Sequence, residues 1–175
     1  MPKTYDNITI TTELTRSPDG SGWHFLYVTK EVVAGFNFTG KSKRIVCSIN
    51  GAEGFQCALM PSGDLFYIIV NKTKRDRLGI VDGDTVRVEL VKDESRYGLP
   101  MPEELREVLD QDPEGDRLFH ALTAGKQRTM LYYIGKWKDI DRRIHYALTF
   151  VEHLKRNDGK ILFKELSNEL KRPMF

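Results

Sequence analysis

Residues 63–90 read GDLFYIIVNKTKRDRLGIVDGDTVRVEL, and this stretch decides the fold. Gly63-Asp64 leads into an apolar run, 65–70. A run without alternation reads as a strand buried on both faces. Residues 71–78 follow, with Lys72, Lys74, Arg75 and Arg77, and read as a short helix. Gly79 stands where a helix C-cap glycine is expected, since glycine alone takes the left-handed conformation cheaply. Asp82-Gly83-Asp84 turns the chain. Val86, Val88 and Leu90 then alternate with Thr85, Arg87 and Glu89, the pattern of a half-buried strand. Gly-Asp stands just ahead of a strand twice, at 63–64 and 83–84, which hints at an internal repeat.

Toward the N-terminus, residues 7–16 alternate Ile and Thr and read as a first strand. Residues 17–22, SPDGSG, form a dense turn cluster. Residues 23–28, WHFLYV, are a second strand, aromatic enough to anchor a small core. Residues 29–34 read as a helical turn with Thr29 as N-cap, and 35–42 as a loop. Residues 43–49 and 55–60 are two more strands joined by the loop at 50–54. A hairpin symmetric about Ala52 places Ile49 opposite Phe55, Cys47 opposite Cys57 and Ile45 opposite Leu59, all on the core face. The two cysteines read as reduced core thiols, with a regulatory disulfide as the alternative. Without an adjacent His or Asp pair they do not complete a four-coordinate metal site.

Beyond the polar link at 93–98 the period changes to helical. A helix starts at Pro102-Glu103-Glu104 and carries Leu105, Val108 and Leu109 inward. Another starts at Asp112-Pro113, carries Leu118, Phe119, Ala121 and Leu122 inward, and ends at Gly125. Residues 129–137 and 140–154 are two more. The last shows Ile140, Ile144, Ala147, Leu148, Val151 and Leu154 as an amphipathic stripe, and Asp158-Gly159 stops it. A short helix with Phe163, Leu166 and Leu170 follows, and Pro173 closes the run. The fold expected is α+β, with a small closed β-barrel of about six strands over 1–97 and a helical segment over 98–175.

At 175 residues, 40% hydrophobic and 30% charged, the chain has the composition of a soluble globular protein. Its net charge of +2, from 27 basic and 25 acidic side chains, gives no strong steering toward nucleic acid or an anionic membrane. Residues 1–10 are polar, without the apolar segment of a signal peptide, and no run approaches the roughly 18 apolar residues of a membrane span. A cytoplasmic location is expected. The search for chemistry is mostly negative. His24, His120, His145 and His153 show no metal-ligand spacing. There is no Gly-x-Ser-x-Gly elbow, and Gly125-Lys126-Gln127 lacks the rest of a P-loop. No cofactor, metal or membrane partner is expected, and the chain is not expected to be an enzyme.

The positive signal is basic. Lys41, Lys43 and Arg44 form one cluster, and Lys72, Lys74, Arg75 and Arg77 another. Lys136, Lys138, Arg142 and Arg143 form a third, beside Tyr132, Tyr133 and Trp137. Phosphate-binding surfaces use such groups, with aromatics that stack bases. The bland alternative is the solvated face of amphipathic helices, because Asp76, Asp139 and Asp141 are interleaved.

The order Asn71-Lys72, a basic helix, Leu78-Gly79, Gly83-Asp84, the alternating 86–90 and Leu99-Pro100 resembles a barrel family of unknown function. That family precedes the YdeI/OmpD-associated segment. The helical part, with Leu105 to Leu109, Leu122-Thr123, 126–134 and Arg142-Arg143-Ile144, resembles the YdeI/OmpD-associated region, also labelled bacteriocin-protection. Residues 135–141 depart from the usual pattern there. The resemblance implies a bacterial protein with a barrel similar to the double-split type of AbrB/MazE-like DNA-binding proteins, and it implies no catalytic residues. Fold does not carry function. Three readings follow. The first is a non-enzymatic binding or interaction module, with another protein or an unknown ligand as partner. The second is a nucleic-acid binder using Lys72, Lys74, Arg75 and Arg77 with Lys138, Arg142, Arg143 and Trp137. The third is a small-ligand or enzymatic cleft between barrel and helices, lined by Trp23, Tyr67, Tyr132 and Trp137.

Overall fold

Alternation along each strand builds the first core. The computed structural model describes residues 6–173; residues 1–5 of the polar N-terminal segment lie outside them. The first unit, 1–94, carries β1 (Asn7–Arg16), β2 (His24–Thr29), α1 (Lys30–Gly35), β3 (Arg44–Ile49), β4 (Phe55–Ala58), β5 (Met60–Ser62), β6 (Leu65–Ile69), α2 (Lys72–Leu78) and β7 (Thr85–Lys92). The sheet is antiparallel with strand order β4-β3-β7-β1-β2-β6-β5. β7 is central: Val88 lies between Ile49 and Ile10, and Leu90 between Cys47 and Ile8. Val86, Val88 and Leu90 are buried and Thr85, Arg87 and Glu89 exposed, as the alternation predicts.

The barrel has seven strands rather than six, because residues 55–62 divide at Leu59. Leu59 is buried, and its N–H donates to the Lys43 carbonyl at 2.8 Å. β4 pairs with β3 at one edge of the sheet and β5 with β6 at the other. The chain therefore passes from edge to edge within a few residues and nearly closes the barrel, which removes most of the unpaired edge. The run at 65–70 is not buried on both faces: Ile68 and Val70 are buried, while Leu65 is exposed. A strand of a small barrel has one face inside, so its outward residues stay half-exposed however apolar they are.

The hairpin register also differs from the symmetric reading. Cys47 lies opposite Phe55 and Ile45 opposite Cys57. The turn is set by Asn50 and Gly51, both at positive φ (52° and 76°), with the Ala52 N–H donating to the Ile49 carbonyl at 3.0 Å. That is the two-residue turn favoured by Asn-Gly. Gly54 then lies so close to β3 that a Cβ there would stand 2.7 Å from Val46 Cγ1. The cysteines are diagonal neighbours, and both are free thiols. The Cys47 thiol is pushed up by its hydrogen bond with Cys57 and then by burial, so it is held protonated. Thr29 does precede α1, but its side chain makes no capping hydrogen bond.

The second unit, 95–175, carries α3 (Glu103–Gln111), α4 (Pro113–Ala121), α5 (Ala124–Gly135), α6 (Ile140–Arg156) and α7 (Phe163–Leu170). The other four pack on α6. Leu105, Phe119, Met130, Ile134, Phe150 and Leu154 lie in one core. Gly125 does not end the fourth helix; it lies in the first turn of α5, because the Thr123 hydroxyl accepts from the Lys126 N–H at 3.4 Å and starts the helix there. Ala121 is exposed at the last position of α4. The stripe expected on α6 is turned. Ala147, Phe150, Val151, His153 and Leu154 are buried, while Ile140 (61%), Ile144 and Leu148 are exposed. Among the described residues no helix is long and apolar enough to cross a membrane.

Candidate ligand-binding site in the helical unit

Of the three basic clusters, the two read as a binding surface, 72–77 and 136–143, fall in different units, and most of their charges have partners within the chain. On α2 the Asn71 side chain accepts from the Lys74 N–H at 2.9 Å, and Gly79 closes the helix at φ 66°. These local signals position all four cations. Lys72 pairs with Asp76 one turn on. Lys74 stands 4.6 Å from the centre of the Phe55 ring. Arg75 donates to the Val70 carbonyl at 2.7 Å. Arg77 is exposed.

In the helical unit Arg142 stacks 4.2 Å from the Trp137 ring centre, and the Lys136 ammonium stands 4.9 Å from the same ring and 4.8 Å from that of Tyr133. The Tyr146 ring meets Trp137 nearly edge-on, with centroids 5.6 Å apart. Cation–π contacts of this kind hold a guanidinium and an ammonium in place. They also occupy the indole that a base would need for stacking. Arg143 meets Glu104 at 3.2 Å without hydrogen-bond alignment, so the pair is a charge contact. Lys138 is exposed.

The residues that form a site are mostly others. α5, α6 and α7 enclose a space of about 160 Å³ lined by Thr129, Tyr133, Lys136, Tyr146, Phe150, Phe163, Leu166, Ser167, Leu170 and Lys171. Tyr133 and Phe150 are in ring contact, centroids 6.5 Å apart and tilted by 38°. Of the basic and aromatic residues singled out in the sequence, Tyr133 and Lys136 reach this space. Phe163, Leu166 and Leu170 on α7 were legible only as a helix face, and Tyr146 and Phe150, four apart on α6, lay outside the stripe read on that helix. A second space, about 280 Å³, lies beside residues 99–102 and is lined by Tyr132, Lys136 and Arg143 among others, but it is more open. In the barrel, Trp23 and Arg75 line a third, of about 220 Å³. Tyr67 instead belongs to an aromatic pair with Phe25, centroids 4.8 Å apart.

One wall of the pocket depends on a buried histidine. His153 is fully buried on α6. Its Nε2 accepts from the Leu162 N–H at 3.0 Å, which places the ring proton on Nδ1, and Nδ1 donates to Glu169 Oε2 at 3.1 Å. Arg156 reaches the same carboxylate oxygen at 2.9 Å. These contacts clasp α7 and the loop before it onto α6. His153 is a satisfied structural histidine, in line with the absence of metal spacing around it. Among the described residues no group of three or more His, Cys, Asp or Glu could hold a metal ion.

Comparison with known families divides the chain in two. Residues 11–90 match the family described as a domain of unknown function, DUF1905. Residues 99–157 match the family described as Bacteriocin-protection, YdeI or OmpD-Associated. No curated protein matches the sequence. The second match spans α3 to α6, and with them the pocket walls other than α7.

Proposed function

We propose, from the match of residues 11–90 to the DUF1905 family and of residues 99–157 to the YdeI/OmpD-associated family, that the chain is a non-enzymatic binding protein whose ligand site is the pocket between α5, α6 and α7. The observation that carries this reading is the lining. Four aromatic rings, from Tyr133, Tyr146, Phe150 and Phe163, share it with two leucines, Thr129, Ser167 and two lysines. An apolar pocket with a few polar groups is the usual form of a small-molecule site. General acid–base catalysis is most often carried by a histidine or a carboxylate, with lysine and tyrosine serving as well. The described residues lining this pocket include no histidine, aspartate or glutamate, and its lysines and tyrosines are assigned to binding. The groups lining this pocket supply contact and orientation instead.

The same geometry weighs against the nucleic-acid reading. Arg75 already donates to a carbonyl, Arg143 is paired with Glu104 and Arg142 lies on an indole face, so part of their charge is engaged within the chain. The test uses the full-length protein in two arms. In the first, NMR spectra are recorded with a set of small aromatic and aliphatic compounds, and shifts are expected to concentrate at Thr129, Tyr133, Phe150 and Leu166. Conversion of a bound compound to product, or shifts that avoid the pocket, would overturn the reading. In the second, labelled oligonucleotides are titrated at about 50 and 200 mM salt, the range over which phosphate contacts weaken steeply. No salt-sensitive binding is expected. Tight binding abolished by charge reversal at Lys74, Arg75 and Arg142 would restore the nucleic-acid reading.

A further inference from the structure

Resting on the ligand-site reading above, we infer that the pocket takes a small monocyclic aromatic carboxylate, its ring among Tyr133, Phe150 and Phe163 and its carboxylate at Lys136 and Lys171. Volume sets the size. A space of about 160 Å³ is close to the cavity of about 150 Å³ that holds one benzene ring, and well below the roughly 300 Å³ at which sites for drug-sized molecules begin. That volume suits a single six-membered ring.

The walls select the ring. Tyr133 and Phe150 are already tilted against each other, and Phe163 at the start of α7 lines the same space and is 56% exposed. A ligand ring inserted among them finds the offset and edge-on partners that aromatic pairs prefer. An aliphatic chain of equal volume gains only area.

The rim selects the charge. Both charged residues in the lining are cationic. Lys136 follows α5 as its C-cap, and its ammonium is held over the Tyr133 ring. Lys171 follows α7 as its C-cap, is exposed, and has no ion pair among the described residues. The nearby acid Glu169 is held by His153 and Arg156. An arylamine would bring a like charge to two lysines, whereas a carboxylate supplies the missing counter-charge and can accept from Lys171. Thr129 donates to the Gly125 carbonyl, which leaves Ser167 as the hydroxyl nearest to hand on α7.

The test is a titration of the full-length protein with benzoate, benzamide and benzylamine, read by NMR at the pocket residues. These probes share a ring and differ in charge. Benzoate is expected to bind at least about tenfold more tightly than benzamide, the scale of one hydrogen bond to a charged group, and benzylamine not to bind. Lys171→Gln should erase most of that preference, weakening benzoate far more than benzamide, and its spectrum without ligand verifies the fold. Equal affinity for benzoate and benzamide would overturn the carboxylate assignment and leave the pocket standing. Absence of pocket shifts with all three probes would overturn both.

Discussion

Gly115 lies so close to α6 that a Cβ added there would stand 2.4 Å from Val151 Cγ1. Alanine is ordinarily better than glycine within a helix by about 1 kcal/mol. Here the added methyl meets a β-branched side chain with one preferred rotamer, so relief requires α4 to move off α6. Gly115→Ala is expected to lose about 1–3 kcal/mol in denaturant unfolding, and Val151→Ala to recover part of it. A Gly115→Ala protein as stable as the parent would show that the two helices can part freely. Asp112 caps the same helix, accepting from the Gly115 N–H at 2.9 Å, and also holds Lys155 at 2.9 Å. The Gly115 N–H and then Lys155 hold its carboxyl below the usual range. A carboxylate depressed by folding contributes stability above its unfolded value, near 3.9, and loses it as the pH falls through the folded value. Asp112→Asn should therefore lower Tm at neutral pH, with a deficit that shrinks below about pH 4; a deficit independent of pH would separate the cap from the charge. Such residues were partly legible. Asp112-Pro113 announced the start of its helix and Gly79 the end of α2, because such signals are local, whereas the Asn71 cap was legible only as part of the helix run. The need for glycine at 115 was not, because Val151 lies 36 positions away in sequence and only packing brings it near.

At the scale of elements, α7 depends on the His153 clasp. The helix spans only Phe163–Leu170, and isolated helices of that length are unstable in water. His153→Ala leaves the Leu162 N–H and Glu169 without their buried partner. Each such loss costs roughly 1–3 kcal/mol. The expected result is faster hydrogen exchange over 163–170 and loss of ligand shifts at Leu166, with α3 to α5 still protected. Uniform loss of protection across the unit would instead make α7 part of one cooperative core. The α6 stripe shows where periodicity stops informing. Ile140, Ile144 and Leu148 recur at helical spacing, yet they are exposed and Phe150 and His153 are buried. Spacing identifies an apolar face, but α3, α4, α5 and α7 decide which arc of α6 they cover.

At the scale of the whole molecule there are two cores, one inside the barrel and one around α6. Each of the two units, 1–94 and 95–175, contains its own buried cluster. Domains of this size bury enough surface to fold alone. Expressed separately, each is expected to unfold in a single cooperative transition, the first with a β and the second with an α circular-dichroism spectrum. A helical fragment without a transition would mean that its core is incomplete as drawn. The sequence by itself determined the kinds and order of most elements, the change from strands to helices at the polar link 93–98, the helix end at Gly79 and the helix start at Asp112-Pro113. These depend on alternation, helical period and backbone preference, which act over a few residues. Only the tertiary structure decided the Cys47–Phe55 register, the division of 55–62 that nearly closes the barrel, the partners that occupy the basic side chains, and the pocket between α5, α6 and α7. Each of these is a meeting of residues far apart in the chain, set by which packing fills space and pairs polar groups, and no local pattern records that choice.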